Sequence, residues 1–203
     1  MRVNDCIGCT KFPCVDVTHE CFVVPAIQVK PNDVTMLMIS EAAPANSSDY
    51  YYAKREPLFA RTAVLAFQDA GAKVKTISDI LKMGVYLTTA VKCGKIGYGI
   101  STKTIEECSL ILEKELALFP NVRVVMLMGD VAIKALNCIA KRAGEGRVVP
   151  AGSTYKIRGG EYLFRGARVF PSYLQAGPSF FIEKSKRRMI AEDIAAALAI
   201  ARR

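Results

Sequence analysis

The chain has 203 residues, of which 51% are hydrophobic, and a mean hydropathy of +0.21, so it is not an intrinsically disordered protein. No apolar run reaches the roughly 18 residues of a membrane helix, and no signal-peptide pattern opens the sequence. We therefore expect a cytoplasmic protein with no membrane partner. Lysine and arginine outnumber aspartate and glutamate by 28 to 19, a net charge of +9 that favours a polyanionic partner such as nucleic acid.

Cysteine spacing is the first chemical signal along the chain. Cys6 and Cys9 form a C-x-x-C turn, which aims two sulfurs at one metal centre, and Cys93 and Cys108 follow far downstream with 14 residues between them. Four such thiolates suit a tetrahedral Zn²⁺ or a [4Fe–4S] cluster. This set requires the fold to return residues 93–108 to the N-terminus.

A second metal hypothesis stays within the N-terminal arm, residues 1–33, which has no clear hydrophobic periodicity. Cys6, Cys9, Cys14 and Cys21 could form a local zinc knot there, with His19 nearby. His19 is the only histidine of the chain, so imidazole chemistry is scarce. Cys138 lies between helical apolar residues and is interpreted as a core residue.

Hydrophobic patterns predict alternating strands and helices. Continuous apolar runs predict buried strands at 34–40, 84–91 and 122–128, with short strands at 162–164 and 168–170. Helices are expected at 59–70, 104–119, 131–142 and 180–201, the second opened by a capping box from Thr104 to Glu107. This order predicts an α/β fold, a three-layer α/β/α sandwich with a mostly parallel central sheet, built as one domain over residues 1–203.

Polar residues follow the strands where ligands bind in open α/β sheets. Glu41 comes directly after the first strand, and three tyrosines, Tyr50 to Tyr52, follow that could stack on bases or pack as a lid. Basic residues follow two of the strand ends and are candidate DNA phosphate contacts, although such charge runs also occur on solvated faces. They are Lys92, Lys95, Lys184, Lys186, Arg187 and Arg188.

Four stretches together resemble the iron–sulfur uracil-DNA glycosylases, the family 4 type of that superfamily. They are the Cys6–Cys9 turn, Ile39-Ser40-Glu41-Ala42-Ala43-Pro44, the strand from Tyr86 that ends Val91-Lys92-Cys93 with Cys108 behind it, and Val169-Phe170-Pro171-Ser172-Tyr173. The resemblance covers nearly the whole chain. It implies that Cys6, Cys9, Cys93 and Cys108 hold a [4Fe–4S] cluster, and that a nucleobase pocket lies at the strand ends.

The chain departs from that family where the chemistry is expected. The family's histidine before proline corresponds to Leu174-Gln175, and its uracil-reading asparagine corresponds to Thr89. Its base-stacking phenylalanine corresponds to Leu58, or to Phe59 if the alignment slips by one residue. The resemblance implies catalysis by Glu41 with Gln175, and base contacts from the following residues. They are Ala42, Leu58, Phe59, Thr89, Tyr173 and Leu174.

Three functional hypotheses follow. The first is a monomeric DNA glycosylase with altered base choice, acting on DNA that includes single strands. The second is a nucleic-acid-binding protein that keeps the cluster and the fold but has lost the chemistry, because leucine cannot donate a hydrogen bond to a departing base. The third is a redox protein whose cluster transfers electrons.

Overall fold

A six-stranded sheet forms the centre of the computed structural model, which describes residues 1–203. The strands are β1 (Val17–Thr18), β2 (Met36–Ala43), β3 (Val85–Lys95), β4 (Val124–Met128), β5 (Tyr162–Phe164) and β6 (Ala167–Ser172). Their order across the sheet is β1-β3-β2-β4-β6-β5. The four central strands are parallel, and the two edge strands pair antiparallel with their neighbours. The mostly parallel sheet predicted from the apolar runs is confirmed.

Helices cover both faces of the sheet, which confirms the three layers. They are α1 (Leu58–Asp69), α2 (Ile77–Lys82), α3 (Thr102–Leu116), α4 (Asp130–Arg142), α5 (Thr154–Ile157) and α6 (Lys184–Ala201). Helices α3 and α4 bury the apolar side chains of one sheet face, and α1, α2 and α6 bury those of the other. None of the helices combines the length and the apolar character that crossing a lipid bilayer requires.

Several predicted boundaries are wrong for local reasons. Helix α3 begins at Thr102 because Ser101, not Thr104, is its N-cap and accepts the Thr104 N–H. Helix α6 begins at Lys184, since residues 178–181 form a separate 3₁₀ turn. The sequence does not predict helix α2, because its six residues are too few to show a helical period, although Thr76 and Asp79 close a capping box at its start.

The N-terminal arm is attached to the outer side of β3. Val17 pairs with Lys95 and Thr18 with Gly94, and the Val23 N–H donates to the Lys92 carbonyl at 2.8 Å. This pairing extends β3 as far as Lys95, beyond the predicted end of the strand at residue 91. The arm therefore lies beside the strand that carries Cys93, as a metal site shared between the arm and the sheet requires.

Candidate active site and thiol cluster

A cavity of about 330 Å³ opens at the carboxyl ends of three neighbouring strands. Glu41 enters it from β2, Gly129 and Asp130 from the turn after β4, and Tyr173 with Leu174 from the loop after β6. Pockets for small ligands commonly measure about 300–1,000 Å³, and in open α/β sheets they lie at this edge. The cavity thus lies at the strand ends, where the sequence predicts a site, and Glu41, Tyr173 and Leu174 are among its lining residues.

The Glu41 carboxylate is held between a cation and a helix N-terminus. Lys95 Nζ lies 3.6 Å from Glu41 Oε2, and the Val131 N–H in the first turn of α4 donates to Oε1 at 3.5 Å. The positive end of the helix dipole favours an anion there. Gly129 makes the close approach possible: its φ is +106°, and a Cβ at this position would lie 2.6 Å from Glu41 Oε1. The carboxylate is thus fixed facing the cavity, only 16% exposed.

Gln175, predicted to act with Glu41, does not line this cavity. It is fully buried in a ring of hydrogen bonds: Ser40 Oγ donates to Gln175 Oε1 at 3.0 Å, and Gln175 Nε2 donates to the Tyr51 hydroxyl at 2.8 Å. The Tyr51 and Ser40 hydroxyls lie 2.5 Å apart and close the ring. Burial raises the pKa of Tyr51 well above its usual value, so the phenol remains a neutral donor. The arrangement positions side chains and leaves Gln175 no access to substrate in this conformation.

The predicted base-contact residues divide into two groups. Tyr173 and Leu174 are half-buried and line the cavity, whereas the others lie outside it. Thr89 is fully buried opposite Ser40 in the sheet, and its hydroxyl has no hydrogen-bond partner. The residues outside the cavity are Ala42, Leu58, Phe59 and Thr89.

The three consecutive tyrosines pack into the protein. Tyr50 and Tyr51 are 2% and 1% exposed, and the Tyr52 hydroxyl donates to the Leu87 carbonyl at 3.0 Å. The Tyr51 ring packs on Phe59 with centroids 5.4 Å apart. Of the two uses left open by the sequence, this structure shows packing.

Beyond Tyr51 a second groove of about 650 Å³ lies between α1, α2 and residues 51–57, and none of the predicted site residues lines it.

Five of the six candidate phosphate contacts reach the protein surface, and Lys92 does not. Lys92 is fully buried and pairs with the equally buried Glu115 on α3, so it cannot reach a phosphate, and that prediction is wrong. Lys186 and Arg187 line the cavity, Lys186 paired with Glu183 and Arg187 with Asp69. Lys184 and Arg188 are exposed on the first turns of α6.

Thiols gather where the arm meets β3 and α3. Burial raises the pKa of Cys93 to about 12, and the neighbouring thiols of Cys108, Cys14 and Cys9 add to the shift. Burial likewise raises the pKa of Cys108 to about 11, with contributions from Cys14 and Cys9. The fold therefore does return Cys93 and Cys108 to the N-terminal arm. Cys21, from the alternative zinc knot, also adds to the upward shift of the Cys93 pKa, and its own thiol donates to the Ala45 carbonyl at 3.0 Å.

Cys6 stands apart from this group. Its side chain is exposed, and its thiol donates to the Arg2 carbonyl at 3.5 Å. No three Cys, His, Asp or Glu side chains of the structure converge closely enough to hold a metal ion. Three members of the predicted quartet, Cys9, Cys93 and Cys108, lie in the same region, and soft sulfur donors of this kind suit iron–sulfur or zinc chemistry, but their side chains are not arranged as a metal site. The orientation of Cys6 does not fit.

Comparison with known proteins agrees with the fold. A family model described as the uracil DNA glycosylase superfamily matches residues 28–194. A type-5 uracil-DNA glycosylase from Thermus thermophilus is 30% identical over 99 residues, which are 49% of this chain and 45% of the relative. The matched stretch thus spans less than half of that protein. Because the family match covers most of the sequence, including every strand that contributes to the cavity, the chain belongs to the uracil-DNA glycosylase superfamily.

Proposed function

We propose that the chain is a DNA glycosylase with altered base choice, which hydrolyses the N-glycosidic bond of a damaged or deaminated base. The observation that carries the proposal is the Glu41 carboxylate fixed in the strand-end cavity. Such enzymes extrude the base from the duplex into a pocket before cleaving it. As the bond breaks, the sugar gains positive charge and the departing base gains negative charge.

Glu41 suits the sugar side of this reaction. A carboxylate can accept a proton from an attacking water molecule and stabilise a neighbouring positive charge. Lys95 and the N-terminus of α4 hold the carboxylate in one orientation, so it need not reorganise as the charge develops. On the base side, Leu174 offers no hydrogen-bond donor. We therefore propose that the preferred substrate is a base that departs without strong help from the protein.

The basic rim of the cavity is the proposed DNA-binding face, for duplex or single-stranded DNA bound by a monomer. Lys184 and Arg188 are exposed on α6 beside the cavity-lining Lys186 and Arg187. Cations placed around a concave site concentrate a polyanion there. Lys95 is already paired with Glu41, so we assign it to the carboxylate before the phosphate.

Salt-dependent binding follows from this assignment. The logarithm of DNA affinity should fall linearly with the logarithm of salt concentration, because phosphate contacts release counterions. Lys184→Gln and Arg188→Gln should each reduce the slope of log affinity against log salt concentration by about one. The affinity at each salt concentration is measured by fluorescence anisotropy with a labelled oligonucleotide. Lys92→Gln, at the buried position, is not a valid probe, whereas Lys30→Gln on the exposed arm is a suitable control. Binding that does not respond to salt would contradict the nucleic-acid assignment.

The thiols support a further part of the proposal, an iron–sulfur centre as in the family 4 branch. Cys9, Cys93 and Cys108 supply soft sulfur donors at the junction of the arm with the sheet. With a centre at this junction, the arm and residues 34–203 form one domain. A bound cluster would join the arm to β3 and α3 and so contribute to stability. The anaerobically purified protein should be brown, with about four iron and four sulfide per chain. Stoichiometric zinc without sulfide would contradict this part alone.

A lesion panel tests the catalytic proposal. Oligonucleotides carrying uracil, hypoxanthine, xanthine and other lesions, in single and double strands, are incubated with the protein and then treated with alkali to cleave abasic sites. At least one should be cut by the wild-type protein, and Glu41→Gln should lower that rate by about 10²-fold or more, the range for removing one proton-transfer group. Unchanged cutting by the glutamine variant would show that Glu41 is not the catalytic carboxylate.

One observation favours a second candidate, a DNA-binding protein without glycosylase activity. Thr89, where the family has its base-reading asparagine, is fully buried opposite Ser40 in the sheet, and its hydroxyl has no hydrogen-bond partner. If no lesion on the panel is cut while salt-dependent DNA binding remains, this second function replaces the first.

A further inference from the structure

We propose that Tyr98 and Tyr155 stack on the nucleobases that flank the base held in the cavity, and that the protein therefore binds single-stranded DNA more tightly than duplex DNA. This inference rests on the DNA-binding face of the proposed function and adds the form of DNA that the face selects. Neither tyrosine is among the site residues predicted from sequence.

Exposed aromatic side chains are rare in this chain. The sequence has eight tyrosines and nine phenylalanines, and only Tyr98, Tyr155 and Phe181 are exposed. Tyr98 is fully exposed, and Tyr155 is 72% exposed. Phe181 already has neighbours on its ring, because Phe180 packs edge-on against it at 5.6 Å and the Arg61 guanidinium lies over it at 5.4 Å. Tyr98 and Tyr155 are thus the two exposed aromatic rings whose faces are open to a ligand.

The two tyrosines stand on opposite sides of the cavity. Tyr98 comes three residues after Lys95, which ends β3 and whose ammonium lies 3.6 Å from the Glu41 carboxylate. Tyr155 is in α5 directly after Thr154, which lines the cavity, and α5 packs against β6. Strands β2 and β4 lie between β3 and β6, so three strand spacings, about 14 Å in total, separate β3 from β6. A DNA strand that crosses the cavity would meet one aromatic side chain on each side of the base that enters it.

Both tyrosines are attached to fixed parts of the fold. The Asp16 carboxylate of the N-terminal arm accepts the N–H of Ser101, three residues after Tyr98, at 2.6 Å. Ile157, two residues after Tyr155, is buried in the core. A tyrosine whose backbone is already held loses little conformational freedom when a base stacks on it.

Positive charge beside each tyrosine favours DNA over an apolar partner. Lys156 directly follows Tyr155, Lys103 lies five residues after Tyr98, and both lysines are exposed. Proteins that bind single strands combine cations along the phosphates with aromatic side chains on which successive bases stack. In a duplex the flanking bases are already paired and stacked on one another, and freeing them costs energy. The two tyrosines therefore favour the single strand.

Affinities for single-stranded and duplex oligonucleotides of one sequence test the proposal. The wild-type protein should bind the single strand more tightly at the same salt concentration. Tyr98→Ala and Tyr155→Ala should each weaken single-strand binding by about fivefold or more, the effect of losing one stacked base, and leave duplex binding unchanged. The slope of log affinity against log salt concentration should stay at its wild-type value, because stacking releases no phosphate counterions. Leu110→Ala, at an exposed apolar position of α3 outside the cavity lining, is the control.

A single tryptophan detects the stacking itself. The chain contains no tryptophan, so Tyr98→Trp and Tyr155→Trp each place one fluorescent reporter at an exposed position. Its emission should be quenched when single-stranded DNA binds, because a base then stacks on the indole. An oligonucleotide with an abasic spacer at the partner nucleotide should bind without quenching, which identifies that nucleotide.

Several outcomes would overturn the proposal. They are alanine variants that bind single strands as tightly as the wild type, equal losses for single strands and duplexes, and a bound tryptophan variant whose emission does not change. None of these measurements depends on base excision. A protein whose tyrosines stack on DNA but which cuts no lesion would refute the glycosylase activity and leave the stacking assignment standing. A wild-type protein that binds neither form of DNA would refute both.

Discussion

Replacing Lys92 by methionine is expected to destabilise the protein by about 3–5 kcal/mol, because it leaves the Glu115 carboxylate buried without its cation. Both side chains are fully buried. Lys92 Nζ also donates to Thr88 Oγ1 at 2.8 Å and to the Thr89 carbonyl at 2.6 Å. Domains of this kind are commonly stable by only about 5–15 kcal/mol, so this single change removes a large fraction of the total.

The double variant Lys92→Met with Glu115→Gln should recover most of that loss. The amide oxygen of glutamine can still accept the hydrogen bond that Tyr86 donates to Glu115 at 2.7 Å, and no unpaired charge remains. Urea unfolding measures both free energies, and Lys184→Met, on the exposed start of α6, should stay within about 0.5 kcal/mol of the wild type. A double variant as unstable as the single one would mean that packing, not charge, is the cause.

The Lys92 pair also shows where sequence reasoning stops. Apolar runs predict strands β2, β3 and β4 because buried parallel strands are apolar on both faces. The run in β3 ends at Val91, so the pattern places Lys92 in a loop and assigns it to DNA. The strand in fact continues to Lys95 because β1 pairs with its end. Strand β1 consists of only two residues, and it lies in the N-terminal arm, whose sequence has no hydrophobic periodicity. A contact between residues 17 and 95 leaves no trace in a local pattern.

The candidate site is predictable to the extent that it depends on strand ends. Glu41, Tyr173 and Leu174 meet because the strands before them are parallel and lie close together in the sheet, and this follows from fold class. The buried ring of Ser40, Tyr51 and Gln175 cannot be foreseen, since its members come from three distant segments.

The wild-type protein is expected to excise uracil slowly or not at all, and replacing Leu174 by histidine should raise that rate by about 10²–10³-fold. This is the range of rate effects found for one hydrogen-bond donor to a developing negative charge. Leu174 lines the same cavity as Glu41 and is only half-buried, although it also packs against the apolar core, so an imidazole there would have access to the cavity. It would supply the hydrogen bond that a departing uracil needs and that leucine cannot give.

Thr89→Asn, the other change toward the family pattern, should add little by itself. Thr89 is fully buried in the sheet opposite Ser40 and does not line the cavity, so a larger amide must displace packed side chains before it can contact a base. Measuring uracil release from a single-stranded oligonucleotide by wild type, Leu174→His, Thr89→Asn and both together separates these effects. Adding Glu41→Gln to Leu174→His should lower the rate again by about 10²-fold or more, because the histidine assists the base while the carboxylate assists the water. Efficient uracil release by the wild type, or no gain in a folded, DNA-binding Leu174→His protein, would show that position 174 does not limit the reaction.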